Sequence, residues 1–152
     1  MSVVITPNGS RGSKMPGGPV LRFALRLNAA IFRLFRGKGP LSSQLLLTTV
    51  GARSGEERTV PVAWFADGPD AWLVIASFGG AAKHPSWYYN LAKNPDRVWI
   101  EVDGRKLKVT PESLHGPERE ERWKRITSKA SNFAGYQEKT DRELPVIRLR
   151  PA

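Results

Sequence analysis

Hydrophobic and polar positions first fall into a regular pattern over residues 19–36, which read PVLRFALRLNAAIFRLFR. At about 100° per residue, Arg22, Arg26, Arg33 and Arg36 share one narrow stripe, and Phe23, Leu27, Ile31, Leu34 and Phe35 cluster opposite it. The pattern predicts a basic amphipathic helix over residues 20–37, closed by Gly37 with Pro40 beyond. Further on, short apolar runs alternate with turn residues. They predict strands over 44–50, 58–66 and 71–77, with Pro61 marking an edge or bulge in the second. A short helix follows over 85–93, with Pro85 at its first position and Asn94-Pro95 as its stop. Asp103-Gly104 predicts a two-residue hairpin between strands over 97–102 and 105–110. A charged amphipathic helix is expected over 117–133, then an irregular stretch containing Tyr136, then a last strand over 144–150. Strands joined by tight turns pair antiparallel, so six short strands and flanking helices make an α+β fold around a small barrel.

The chain has 152 residues, enough for one core, and 40% of them are hydrophobic. There is no cysteine, which excludes disulfides, thiolate metal sites and a cysteine nucleophile. Redox chemistry would then need a borrowed reactive group. Two histidines, His84 and His115, do not make a multi-histidine metal site, so no metal is expected. Residues 1–40 hold seven basic residues and no acidic one, so most of the net charge of +10 belongs to the N-terminal part. Residues 1–19, rich in Gly, Pro, Ser and Lys, are expected to be a disordered basic arm.

Two readings of the 20–37 helix stay open. It either covers one side of the barrel or lies on a membrane, with arginines at anionic headgroups and Phe and Leu in the acyl boundary. A DNA-reading role fits poorly, because the aromatic face would be left exposed in the groove, and nucleic acid is not an expected partner. No apolar run reaches the roughly 20 residues of a membrane span, and no continuous signal-peptide core is present. The expected location is the cytoplasm, with peripheral attachment at the inner face of the cell membrane if the helix docks there.

Two segments carry candidate chemistry. Thr48-Thr49-Val50-Gly51-Ala52-Arg53-Ser54-Gly55-Glu56-Glu57-Arg58 places two glycines and two arginines around a turn. Backbone N–H groups can converge there on an anion, and Arg53 and Arg58 can grip phosphate or carboxylate. It is neither a P-loop nor a dinucleotide fingerprint, since no Gly-Lys-Ser/Thr follows and no helix opens after the glycines. An ordinary exposed hairpin would look the same. In Ala76-Ser77-Phe78-Gly79-Gly80-Ala81-Ala82-Lys83-His84-Pro85-Ser86-Trp87-Tyr88-Tyr89-Asn90-Leu91, small residues end an apolar strand, so a flat ring can approach the backbone. A helix N-terminus that favours negative charge follows. Trp87 and Tyr88 either wall a ring or fill the core. His84 is a residue before a proline rather than an acid or base.

In this order the two motifs resemble the deazaflavin-dependent nitroreductase family, small actinobacterial oxidoreductases that use coenzyme F420 on a split β-barrel. The match extends through Lys93-Asn94-Pro95 and the tail Tyr136-Gln137-Glu138-Lys139-Thr140-Asp141-Arg142-Glu143-Leu144-Pro145-Val146. The resemblance implies a split barrel of the FMN-binding, pyridoxamine-phosphate-oxidase-like type over residues 41–152. It also implies coenzyme F420, which carries a deazaflavin ring, a phosphate and an oligoglutamate tail, with FMN as the alternative. Ala52, Arg53, Ser54 and Arg58 would serve the anionic parts, helped by Lys83. Pro61, Ile75, Ala76 and Ser77 would lie near the ring, Phe78 and Gly79 would also contact the cofactor, Phe78 towards its phosphate side, and Ser86, Trp87, Tyr88 and Asn90 would complete the pocket. Hydride would pass to a quinone, a nitro compound or a similar electron-poor acceptor, with Tyr136 and Ser77 as the catalytic hydroxyls. The chain departs from relatives at Phe78, where some carry a lysine. It departs again at Ala63 and Phe133, where the nitroimidazole-reducing member has tyrosines. A deazaflavin holder without turnover is the non-catalytic alternative, and monomer and homodimer are both open.

Overall fold

The computed structural model describes residues 2–14, 19–34 and 43–152. Helix α1 (Pro19–Leu34) precedes strand β1 (Gln44–Val50), β2 (Glu57–Ala63), β3 (Phe65–Ala66) and β4 (Trp72–Ile75). Helix α2 (Ser86–Lys93), strands β5 (Trp99–Val102) and β6 (Arg105–Ser113), helices α3 (Gly116–Lys129) and α4 (Asn132–Lys139) and strand β7 (Val146–Pro151) complete the chain. All strand pairs are antiparallel, in the order β2-β1-β5-β6-β7-β4-β3.

The sheet curls nearly shut because β2 and β3 are one bent run. Residues 57–63 pair with β1, and then Phe65 and Ala66 pair with β4 at the other edge of the sheet. Trp64 is the corner, its N–H donating to Ser43 O at 3.2 Å. The single strand expected over 58–66 is therefore correct as a run but serves both sheet edges. Asp103 and Gly104 both have positive φ, 52° and 74°, the backbone that a two-residue hairpin needs.

Period-two alternation assigns the layers. Leu45 and Leu47 of β1 point into the barrel with Val74, Ile100, Val102, Val109, Ile147 and Leu149, while α2 plugs it with Trp87, Tyr88 and Leu91. Leu46 points the other way and is covered by Ala29 and Phe32 of α1. A second cluster joins Leu73, Ile75 and Val146 to Leu114, Ile126, Phe133 and Leu144 under α3 and α4.

Several expectations need correction. Residues 2–14 lie against the barrel. Ser10 N–H and Oγ bond Asp141 at 2.8 and 2.5 Å, Val4 O accepts from the Tyr88 hydroxyl at 2.6 Å, and Ser13 bridges to Ala81. Side-chain anchors hold a segment whose composition has no hydrophobic pattern of its own. The helix expected over 117–133 is two helices, parted at residues 130–131, and Tyr136 stands on α4 rather than in an irregular stretch. The third strand stops at Ile75, and Pro85 precedes α2 with extended backbone.

Helix α1 also differs in facing. Leu25 and Leu21 are half-buried and Ala29 and Phe32 are buried, whereas the apolar stripe read from the sequence points outward. Phe23 is 70% exposed and Leu34 77%, with Leu27 and Ile31 exposed between them. A barrel lid that buries this stripe is therefore excluded. Phe35, Arg36 and Gly37 lie outside the described residues.

Candidate active site

A groove of about 990 Å³ opens between α1, the β1–β2 turn and α2. Its size sits at the upper end of small-molecule sites, roughly 300–1,000 Å³. The turn contributes Gly51, Ala52, Arg53, Ser54, Glu57, Arg58, Thr59 and Val60. Gly51 N–H donates to Glu56 O at 2.7 Å and Gly55 N–H to Gly51 O at 2.9 Å, with Gly55 at φ 71°. At Gly51 a Cβ would meet the Ser54 hydroxyl, so a larger residue there would force the Ser54 side chain to turn away.

Asn90 fixes this turn from α2. Its Oδ1 accepts from Ala52 N–H at 2.9 Å, and its Nδ2 donates to Thr49 Oγ1 at 3.2 Å. Asn94 adds a bond to Val50 O at 3.3 Å. Arg53 makes no ion pair among the described residues, and Arg58 pairs only with exposed Glu56 at 3.0 Å. The third wall is α1, which adds Arg22, Arg26 and Arg33. Glu57 is the carboxylate among the described lining residues. These donors fit a ligand that carries phosphate and carboxylates.

Helical phase sorts the α2 residues. Ser86, Tyr89 and Asn90, at i, i+3 and i+4, line the groove. Trp87, Tyr88 and Leu91 lie on the other face and are buried in the barrel. Tyr88 is corrected from ring wall to core residue, since its ring is fully buried and its hydroxyl is committed to Val4 O. Trp87 belongs to the same core cluster. Tyr89, which the sequence reading passed over, is the aromatic on the groove side, and its hydroxyl donates to Asn8 Oδ1 at 3.0 Å.

The end of β4 forms a second neighbourhood. Ala76 is fully buried, Ser77 is αR and Phe78 has φ 45°, followed by Gly79 and Gly80 at 61° and 81°. An αR residue followed by an αL one turns successive N–H groups to one side, an anion-holding arrangement. A non-glycine residue in αL is strained by about 1–3 kcal/mol and persists only where its surroundings hold it. The holder here is Arg142, which is 2% exposed. Its guanidinium donates to Ala76 O at 2.9 Å, Ser77 O at 2.7 Å and Ala81 O at 3.0 Å.

The Arg142 Nη1 also lies 3.0 Å from His84 Nδ1. A guanidinium only donates, so Nδ1 accepts and Nε2 carries the proton, which it gives to Thr6 O at 2.7 Å. His84 is therefore neutral. Burial lowers its pKa below the ordinary value, the bond to Thr6 works against this, and the positive charge of Arg142 lowers it further. Reading the sequence gave no role to Arg142. It lay within the matched tail, but only the fold brings it beneath the β4 turn, to partners 61–66 residues away in sequence.

Tyr136 does meet this neighbourhood. A Cβ on Gly80 would come within 2.5 Å of Tyr136 O, so α4 lies directly against the turn. Its ring is half-buried beside Phe133 at 5.6 Å, and Ala63 and Phe133 share the same cluster. Asn132 Nδ2 reaches its hydroxyl at 3.5 Å on the exposed side. The structure thus forms two groups from the expected residues. Ala52, Arg53, Ser54, Arg58, Ser86 and Asn90 line the groove, while Ile75, Ala76, Ser77, Phe78 and Gly79 gather near Tyr136. Pro61 lies on β2, between groove-lining Val60 and Ala63. Lys83 is exposed and outside the groove lining. Among the described residues no acidic or histidine cluster suited to a metal exists.

Known proteins are similar to this chain in sequence and in fold. An F420H2-dependent quinone reductase of Mycobacterium tuberculosis strain H37Rv is 38% identical over 135 residues, covering 82% of this chain and 88% of that protein. A solved F420-H2 dependent reductase, FDR-A, has TM-score 0.63 and 38% identity over 71% of this chain and 94% of its own. A further solved structure, described as a domain-swapped dimer, has TM-score 0.65 and 34% identity over 82% of this chain and 97% of its own. A heme storage protein of Vibrio cholerae, 16% identical with TM-score 0.51, shares the fold, covering 84% of this chain and 90% of its own. The model of the F420H(2)-dependent quinone reductase family matches residues 22–151, so the chain belongs to that family and its cofactor is coenzyme F420.

Proposed function

We propose that this protein oxidises reduced coenzyme F420 and delivers the hydride to a quinone. The observation that carries the reading is the groove between α1, the β1–β2 turn and α2, in which Arg22, Arg26 and Arg53, without a carboxylate partner among the described residues, face one open space in a chain of this family. Arg53, Ser54 and Arg58 hold the phosphate and nearby carboxylates, with Ala52 N–H kept in register by Asn90. Bound F420 supplies a two-electron donor that gives hydride from carbon, where a flavin has nitrogen. The chain's own work is to bind, orient and exclude water. Pro61, Ile75, Ala76 and the Ser77–Gly79 turn border the ring, and Arg142 keeps that turn in its strained form. The acceptor oxygen needs a proton as it becomes a hydroxyl. We assign that donation to the Tyr136 hydroxyl, with Ser77 as the second hydroxyl.

A quinone is favoured over a nitro compound by the family, and a lipid-dissolved acceptor suits the exposed stripe of Phe23, Leu27, Ile31 and Leu34. That stripe docks on the inner face of the cell membrane. The basic N-terminal part adds attraction of about 1 kcal/mol for each cation near an anionic surface. No helix among the described residues is long and apolar enough to cross a membrane. A homodimer, as in the domain-swapped relative, is the assembly to look for.

The test is anaerobic oxidation of reduced F420 followed by absorbance, with and without a short-chain quinone. Quinone-dependent oxidation supports the reading, and none with quinones or nitro compounds overturns it. For docking, the triple variant F23S/L27S/L34S should bind anionic vesicles several-fold more weakly at unchanged F420 affinity. Equal sedimentation would remove the membrane from the account.

A further inference from the structure

Helix α1 is fixed over the groove by contacts that leave two of its arginines unused. Phe32 is 2% exposed and packs with Ala29 on Leu46. One turn along, Arg33 forms a two-pronged bond to Glu101, at 3.1 and 3.0 Å. Arg22 and Arg26, at i and i+4, stand on the groove side and meet no carboxylate or hydrogen-bond partner among the described residues. Opposite them are Arg53 and Arg58 of the β1–β2 turn. Four guanidiniums on two walls face one groove, and the only acid pairing any of them among the described residues is exposed Glu56. Like charges in one groove repel, so the arrangement costs stability unless an anion fills it.

A compact phosphate needs one wall at most. A flexible chain of several carboxylates running between the walls uses both. We propose that α1 is the second jaw of a polyanion clamp, in which Arg22 and Arg26 hold glutamate carboxylates of the F420 tail. This rests on the cofactor reading above. It assigns to the helix a tail-length-selecting role that the turn arginines alone do not have. The outward apolar stripe and the inward arginines then do separate jobs on one helix, and the stripe remains free while the tail is bound.

The experiment is a fluorescence titration of the intact protein with three probes at low and high salt. They are F420 with a long glutamate tail, F420 with a single glutamate, and the tail-less deazaflavin ribitol. For R22Q/R26Q the affinity for long-tailed F420 should fall about tenfold, with a shallower salt dependence, since exposed ion pairs are individually weak. Affinity for the tail-less probe should stay within about twofold of wild type, and the single-glutamate form should fall between. R22K/R26K should retain most of the long-tail preference, because charge is kept. Equal losses for all three probes, or no loss for the long tail, overturn the clamp. If R53A still weakens binding while R22Q/R26Q does not, the groove remains the cofactor site and only the clamp is wrong. If wild type binds none of the probes, both readings fall together.

Discussion

Arginine does opposite work in two regions of this molecule. In the groove, Arg22, Arg26 and Arg53 project from exposed positions with no carboxylate partner among the described residues. Beneath the β4 turn, Arg142 is sealed from solvent and bonded to three carbonyls and a histidine. Free guanidiniums on a rigid backbone are ready for a ligand's charge. A guanidinium with four of its five N–H donors already committed has little left to offer a ligand and instead fixes backbone geometry. Comparing them shows how one residue type can be read as binding or as scaffold: the deciding quantity is how many of its donors the protein already uses.

The comparison breaks most sharply at Arg142. Arg142→Ala would orphan the carbonyls of Ala76 and Ala81 and leave Ser77 O with only the Gly80 N–H, and denaturant unfolding should show a loss of about 3 kcal/mol or more. Arg142→Lys keeps the charge but loses the planar fork, so stability should recover only in part. A loss below about 1 kcal/mol for the alanine variant would show that the turn holds itself.

Replacing a groove arginine should do the reverse. Arg53→Ala or Arg58→Ala should weaken F420 binding by roughly 1.5–3 kcal/mol, with less effect at high salt, and leave unfolding almost unchanged. Binding equal to wild type in both variants would remove the anion site from the β1–β2 turn.

Tyr136→Phe tests the hydroxyl alone. Turnover with a quinone should drop by about tenfold or more while F420 affinity holds. Unchanged turnover would leave Tyr136 as a packing partner of Phe133.

The smallest effect is expected from pH. Burial depresses the His84 pKa below 6.5, so on acidification the unfolded chain takes up this proton before the folded one does. Its contribution is fully present above pH 6.5 and is lost as pH falls towards the lower folded value. Stability should therefore decline on the acid side of 6.5, and the decline should be shallower in His84→Gln. An identical pH profile for the two proteins would show that the Thr6–His84–Arg142 link carries no protonation cost.

Much of this was legible in the sequence because local chemistry decides it. Asp103-Gly104 specifies its hairpin through two positive φ angles, and the β1–β2 turn with Arg53, Ser54 and Arg58 does line the groove. What was not legible depends on contacts distant in sequence. Residues 2–14 have no periodicity, and their order comes from Asp141, Tyr88 and His84. The facing of α1 was ambiguous because the helix carries two apolar stripes, and only Leu46 decides which is covered. Trp87 and Tyr89 differ by two positions on α2, so helical phase alone sends one to the core and the other to the groove.

The central claim is that the arginine-walled groove binds coenzyme F420, and a side-by-side titration of the wild-type protein with F420 and FMN tests it most directly. The account predicts saturable F420 binding that weakens with salt and is at least tenfold tighter than that of FMN, with Arg53→Ala removing most of the difference. FMN binding as tightly as F420, or F420 binding unaffected by Arg53→Ala and Arg58→Ala together, would contradict it.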